Sequence, residues 1–380
     1  MLLSEYPKWL VFQLAEACNL RCRMCYEWGD HGSYHHQGKP ARLEFEAICR
    51  TLEACAPGRP YVELFGGEPF LHPRIAEVIG RVGEAGSVLG IPTNGTLLTR
   101  HADALVGEAP IRLWVSLDGP EAVNDRQRGR GVFRRAVEGL ETLYDVREAR
   151  GARFPQLGIT YIVTPDNCGE VEELFLRGIE LSKLDFISIV MQNFATAAEV
   201  EAYEAIVTGK FGGHAATHAR GYLQQTSHFS GMDLAGLAAQ IDRVRAACRE
   251  KETLFFSNPM TTDERNLRSF FAAEWSDLTD HRTRCAFPWM YAEVSARGEV
   301  TTCHSFYDIT VGNIYEESFL DIWKGERIRR VREHLRGGLF PICTACCRYY
   351  NNPTSAVLDG QEAARGSVSF GEARPGGRDG

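Results

Sequence analysis

The sequence predicts an α/β fold: a partial (β/α)6 barrel followed by a small cysteine-rich domain. Six short runs of apolar, β-branched and aromatic residues alternate with helical patterns through the first half of the chain. That alternation is the pattern of a parallel sheet with right-handed crossovers. The 12 cysteines gather mainly in two groups, Cys18 to Cys25 and Cys285 to Cys347. With 380 residues, 44% of them hydrophobic, the chain can bury one large core and one small one.

Taken in order, the strands fall at Trp9 to Ala15, Tyr61 to Phe65, Val88 to Thr93, Arg112 to Asp118, Leu157 to Val163 and Phe186 to Val190. Between them, apolar residues recur at helical spacing over Leu43 to Ala56, Pro73 to Ala85, Leu97 to Val106, Phe133 to Ala149 and Val171 to Ser182. The barrel therefore spans 1–192. Residues 193–284, with a helical pattern at Leu234 to Cys248, are expected to cover its open side. An auxiliary domain is expected over 285–364, with a packing helix or pair of helices within Gly312 to Leu335. The Gly-, Arg- and Ser-rich residues 365–380 read as a disordered tail.

In parallel barrels chemistry sits at the C-terminal ends of the strands. The first strand runs directly into Cys18, Cys22 and Cys25, spaced C-x3-C-x2-C, with Met24 before the last. Three thiolates at that spacing can ligate three irons of a four-iron cluster and leave the fourth iron open for chemistry. Zinc, which prefers four ligands in paired C-x2-C knuckles, fits the trio poorly. The second strand ends in Gly66, Gly67, Glu68 and Pro69, where glycines admit a ligand to the backbone and Glu68 offers a carboxylate. Asn94 follows the third strand, Ser116 and Asp118 follow the fourth, and Ile189 ends the sixth. Turn chemistry explains Asn94 and Asp118 as well as ligand contact does, and Ile189 suits the core equally.

From Trp9 to Val190 these motifs resemble the radical S-adenosylmethionine (SAM) family. The resemblance implies a 4Fe-4S cluster on Cys18, Cys22 and Cys25. It implies SAM contacts from Met24, Gly66, Gly67, Glu68, Pro69, Asn94, Ser116, Asp118 and Ile189. It also implies an electron donor such as flavodoxin or ferredoxin. The cofactor carries the radical chemistry, and the protein orients substrate and excludes water.

The distal cysteines add a second site. Cys285 is followed by twelve residues, Gly298, four residues and Cys303; then come Cys343, Cys346 and Cys347. A set such as Cys285, Cys303, Cys343 and Cys346 closes all four positions of a second 4Fe-4S cluster. Zinc would also suit such a set, and spacing does not rank Cys346 against Cys347. The pattern resembles the auxiliary-cluster extension called SPASM, in its short, one-cluster twitch form. Its spacing is similar to that of the amino-cyclitol dehydrogenase of butirosin biosynthesis. Cys49, Cys55, Cys168 and Cys248 read as small buried residues.

Composition narrows the function. Net charge is −8 with no long basic block, which disfavours nucleic acid as a partner. No apolar run reaches the ~20 residues of a membrane span, and the start lacks a signal-peptide pattern. A cytoplasmic setting and metal-binding rather than disulfide-forming cysteines follow. The expected function is a radical SAM oxidoreductase of specialised metabolism, such as antibiotic biosynthesis. It would act on a small-molecule substrate of sugar, aminocyclitol or nucleoside type, with the auxiliary cluster as electron acceptor. The alternatives are a maturase of a ribosomally made peptide, and an epimerase or decarboxylase. Only 17 residues precede Cys18, which leaves little room for a leader-binding domain and favours a small molecule. The Arg-Asp-Gly ending disfavours the molybdenum-cofactor branch of the family. The loop Tyr26 to His36 holds Glu27, Asp30, His31, His35 and His36, read mainly as solvated.

Overall fold

The computed structural model describes residues 4–29, 32–36, 38–213 and 215–350. Asp30, His31, the side chains of His35 and His36, and the expected tail therefore lie outside the described residues.

The predicted strands form, in parallel and in chain order, β1 (Trp9–Ala15), β2 (Tyr61–Gly66), β3 (Leu89–Thr93), β4 (Ile111–Ser116), β5 (Gln156–Val163) and β6 (Phe186–Met191). All seven residues of β1 are buried, as a strand covered on both faces should be. β4 alternates instead, with Ile111, Leu113 and Val115 buried under helices and Arg112, Trp114 and Ser116 turned to the barrel interior. The helix Val132–Arg150 packs Ala136, Leu140 and Leu143 on that outer face and stops at Gly151. The helical pattern from Val171 is broken: a short α-helical turn at Val171–Glu173 gives way to a π-helical turn at Leu174–Gly178.

Two features were not anticipated. The segment expected as a helical cover adds a seventh parallel strand, β7 (Leu254–Asn258), on β6, after the helix Leu234–Glu250. The sequence Leu-Phe-Phe-Ser is a strand signal hidden behind a long helix. The auxiliary segment also joins the barrel sheet. Its β8 (Tyr291–Val294) pairs in parallel with β1, and β9 (Glu299–Thr301) and β10 (Gly312–Asn313) follow antiparallel. One ten-stranded sheet results, in the order β10-β9-β8-β1-β2-β3-β4-β5-β6-β7.

Gly298 has a structural reason: it turns the β8–β9 hairpin at φ +80, and a Cβ there would lie 2.4 Å from the Tyr315 ring. Glu16 at the end of β1 receives Arg297 of that turn at 2.8 Å and is itself almost wholly buried. Helices Phe319–Lys324 and Glu326–Gly337 then bury Ile322, Trp323, Ile328, Val331 and Leu335, the residues whose helical spacing is visible in sequence.

Inside the barrel, Trp114 packs on Phe186 with ring centroids 4.2 Å apart, and a Cβ on Gly158 would lie 1.8 Å from the Phe186 ring. Gly158→Val should therefore destabilise the fold by roughly 1–3 kcal/mol. Gly80→Ala, at an open helical position, should stabilise it by about 0.5–1 kcal/mol. Urea midpoints of the two variants test the pair, and equal midpoints would refute the packing.

Candidate active site

The loop that follows β1 carries Cys18, Cys22 and Cys25 to the C-terminal end of the barrel, where all three line a cavity of about 2470 Å³. Backbone N–H groups point at two of the sulfurs: Leu20 N donates to Cys18 Sγ at 3.4 Å, and Trp28 N donates to Cys25 Sγ at 3.3 Å. Side chains serve two as well. Asn94 Nδ2 lies 4.0 Å from Cys18 Sγ, and Arg128 Nη1 lies 3.9 Å from Cys22 Sγ. Burial pushes the Cys18 thiol up to about 12 and Cys25 to about 11, and raises Cys22 against the opposing pull of Arg128. Such thiols ionise when a cation binds them, and N–H···S donors then stabilise the thiolates. The donor set therefore fits an iron–sulfur cluster. Among the described residues no group of three or more His, Cys, Asp or Glu converges as ligands of one metal ion do. A cluster does not require this, since each thiolate binds a different iron.

The other candidates divide. Met24, Gly66, Gly67, Asn94 and Ser116 line the cavity beside the trio. Packing also requires glycine at both positions. A Cβ on Gly66 would lie 2.4 Å from the Ala15 carbonyl, and one on Gly67 would lie 2.3 Å from that of Ala17. Their backbone packs against the end of β1, and Gly67 N donates to Ala15 O at 2.8 Å.

Glu68 is 1% exposed and lies behind the cavity wall. Its carboxylate accepts from Phe70 N at 3.2 Å, Thr93 Oγ1 at 2.8 Å and Asn94 N at 2.9 Å, so it fixes the turn after β3. Pro69 opens a buried short turn and does not line the cavity. Asp118 is wholly buried. It takes Arg128 Nε at 2.6 Å and Ile162 N at 2.8 Å, and so holds Arg128 at the cavity wall instead of reaching the cavity itself. Ile189 belongs to the core, because strand alternation turns its neighbours Ser188 and Val190 inward instead.

In the auxiliary segment, Cys285, Cys303, Cys343 and Cys346 line one small, mostly apolar cavity with Tyr203, Phe306 and Phe340. Burial pushes Cys303 up to about 12 and Cys343 well above its usual range. Ser305 Oγ donates to Cys346 Sγ at 3.2 Å. This set also fits a buried cluster. Cys347, adjacent in sequence, lines the large cavity instead, with His304 and Arg348. Cys346 and Cys347 thus line different cavities while their side chains stay in hydrogen-bond contact.

Sequence reading missed much of the wall. Arg128 ends a polar helix with no motif around it. Tyr26 stacks on Tyr222 at 3.9 Å, and His218 meets Tyr307 edge-on at 5.0 Å, its imidazole pushed down to about 4 by burial. Burial works against the His304 cation, yet hydrogen bonds to Cys347 and Glu293 carry it up to about 9. Glu27, expected in a solvated loop, lines the cavity. Burial, with Glu293 and Glu16 nearby, pushes its carboxyl up to about 8.

Residues 12–175 match the model of the radical SAM superfamily, and residues 285–347 match that of the iron–sulfur cluster-binding SPASM domain. The chain belongs to the radical SAM superfamily and carries a SPASM domain behind its barrel. A four-iron cluster and SAM go with the first domain, and further iron–sulfur ligation goes with the second. The chain is similar to a tungsten-containing aldehyde ferredoxin oxidoreductase cofactor-modifying protein of Pyrococcus furiosus. The two are 23% identical over 360 residues, or 89% of this chain and 87% of that one. It is 30% identical to an AdoMet-dependent heme synthase of Methanosarcina barkeri over 48% of this chain and 50% of that protein, so it spans about half of that relative. The crystal structure of Streptococcus suis SuiB shares its fold: TM-score 0.59, 18% identity, 91% of this chain and 72% of that one. No helix among the described residues is long and apolar enough to cross a membrane.

Burial is the main reason Glu68 is pushed up to about 7. A carboxyl whose folded pKa exceeds its unfolded value binds its proton more tightly when folded. Its contribution is fully present below the ordinary carboxylate range and is lost as pH rises towards about 7. Glu68→Gln should therefore flatten the fall in stability of cofactor-free protein between about pH 5 and 8, by up to roughly 3 kcal/mol. Denaturant titrations across that range check it, and parallel slopes for variant and wild type would refute it.

Proposed function

We propose that this radical SAM enzyme abstracts hydrogen from a substrate held between two iron–sulfur sites and carries out a net two-electron oxidation, such as alcohol to ketone. One observation carries the reading. The large cavity is lined both by Cys18, Cys22 and Cys25 and by His304, Ser305, Tyr307, Cys347 and Arg348 of the SPASM domain. The bound cluster and SAM would supply a 5′-deoxyadenosyl radical able to take hydrogen from an unactivated C–H bond.

The chain's residues would do the rest. Asn94 and Arg128 hold the cluster thiolates. Gly66, Gly67 and Ser116 shape the SAM side of the cavity. Tyr26, Tyr222 and Tyr307 enclose the substrate and exclude water. Cys285, Cys303, Cys343 and Cys346 would hold one auxiliary four-iron cluster, the twitch arrangement, behind the substrate and placed to take the electron that oxidation releases. A flavodoxin or ferredoxin would supply reducing electrons. The proposed substrate is a sugar, aminocyclitol or nucleoside.

A second reading, peptide maturation, is favoured by the size of the cavity, which exceeds the ~300–1,000 Å³ of ordinary small-molecule sites. SuiB has been solved bound to its precursor peptide SuiA. Assays with a panel of sugars, aminocyclitols and nucleosides separate the readings: a carbonyl product with one 5′-deoxyadenosine per turnover supports oxidation.

Anaerobically reconstituted protein with a strong reductant should cleave SAM to 5′-deoxyadenosine, and a Cys18/Cys22/Cys25→Ala triple variant should not. Undiminished cleavage in that variant sinks the assignment. Wild type should hold about eight irons and the triple variant about four. One zinc with four irons in wild type would mark the distal set as structural zinc and remove the electron-acceptor role. Cys303→Ala should lose oxidised product more steeply than 5′-deoxyadenosine, and normal product from that variant would exclude the acceptor role.

A further inference from the structure

We propose that the inner wall of β5, β6 and β7 binds a polyhydroxylated ring. The hydroxyls of Thr160 and Ser188 and the amide oxygen of Asn258 are its polar contacts, and the rings of Trp114, Phe186 and Phe256 are its floor. The inference rests on the small-molecule reading above and narrows it. The substrate is a saturated ring with hydroxyl or amino groups on several neighbouring carbons.

Strand register sorts the inward side chains into layers. Ser116 pairs with Thr160, Thr160 with Ser188, and Ser188 with Phe256. Paired residues of neighbouring strands share a face of the sheet, and these four all line the large cavity. Three hydroxyls therefore stand side by side at one height. Neighbouring strands lie about 4.8 Å apart, so the row spans about 10 Å. Ser116 belongs to the SAM side, and Thr160 and Ser188 carry the row away from it. Among the described residues neither of those two hydroxyls has a hydrogen-bond partner. Each offers one donor and two acceptor sites, so the pair can meet substrate hydroxyls in either sense.

The layer two residues nearer the start of each strand is aromatic. Trp114 pairs with Gly158, and Gly158 with Phe186. The absent side chain at Gly158 leaves the space that the Phe186 ring fills. Ring centroids lie 4.2 Å apart for Trp114 and Phe186, and 6.1 Å apart for Trp114 and Phe256. Phe256 lines the cavity with 44% of its surface exposed. An aromatic face is electron-rich and receives the C–H face of a saturated ring.

The layer nearer the strand ends brings the third polar contact. Ile162 pairs with Val190, and Val190 with Asn258. Asn258 lines the cavity and is 6% exposed, and its Oδ1 is buried with no hydrogen-bond partner. Its Nδ2 donates to the Cys347 carbonyl, which fixes the orientation of the amide. A buried acceptor without a donor is costly, and a substrate O–H or N–H removes that cost. Hydroxyls beside an aromatic floor match a ring with a polar rim and an apolar face. A peptide backbone has no hydroxyl-dense edge to set against the row.

Equilibrium dialysis of the reconstituted full chain with SAM tests the site. The probes are myo-inositol and glucosamine, with cyclohexanol and tetraglycine for comparison. Wild type should bind both polyols and hold cyclohexanol about tenfold more weakly or worse. Thr160→Val and Ser188→Ala should each weaken polyol binding about 3- to 10-fold, the effect of one lost hydrogen bond. Phe256→Ala should weaken it too, and Phe256→Tyr should restore it. Iron content equal to that of wild type marks each variant as folded.

No polyol binding by wild type overturns the proposal. Tighter binding of tetraglycine than of either polyol overturns it in favour of a peptide. Unchanged polyol affinity in both hydroxyl variants also overturns it. A carbonyl product made from a sugar or aminocyclitol with unchanged KM in Thr160→Val and Ser188→Ala refutes the site and leaves the oxidation reading intact. Polyol binding that depends on both hydroxyls, with 5′-deoxyadenosine but no carbonyl product, supports the site and refutes the oxidation reading instead.

Discussion

Trp9 to Phe12 of β1 pair with Tyr291 to Val294 of β8, and that parallel ladder sets the geometry of the whole site. β1 is paired on its other edge by β2, so the strand that leads into Cys18 is clamped from both sides. Because β8 continues the barrel sheet, the auxiliary segment is not tethered by a loop but locked in register. Its cysteines and its cavity-facing residues therefore take fixed positions relative to the first cysteine loop. Glu16 with Arg297, and Gln13 with Ala296 N at 3.1 Å, reinforce the same seam.

The cysteine loop itself is held by backbone contact. The glycines after β2 allow the chain to touch Ala15 and Ala17, and Glu68 then ties this corner to the turn after β3. Three strand ends thus form one rigid unit around Cys18. Asp118 extends it to a fourth by holding Arg128 against Cys22. A buried ion pair of this kind is costly to break, because either partner alone is left as an uncompensated charge. The positive end of that pair faces a sulfur and the negative end faces a backbone amide, the polarity a thiolate site needs.

The barrel, the auxiliary extension and its helix pair were legible because their signals are local. Strand runs alternate with helical periods, and Cys18, Cys22 and Cys25 lie within eight residues of chain. The seventh strand was missed because Leu254–Asn258 follows a long helix in a segment with no regular alternation. Glu68 and Ile189 show the limits of position alone. The residue type and strand end were readable, but whether a carboxylate opens to a ligand or to its own neighbouring turn depends on the packing of a second strand. Which of Ile189 and Val190 faces inward depends on a register that one residue reverses.

The sequence by itself determined the strand–helix barrel, the first cysteine trio and the presence of a second cysteine set, because each rests on spacing along the chain. Only the tertiary structure decided that Cys346 and Cys347 face different cavities and that Glu27, Asn258, His304 and Arg348 share a wall with the first trio. It also showed that Cys347 of the second cysteine group borders the same cavity as the first trio. Most of these relations join residues hundreds of positions apart. They follow from sheet order and side-chain direction, which no local pattern encodes.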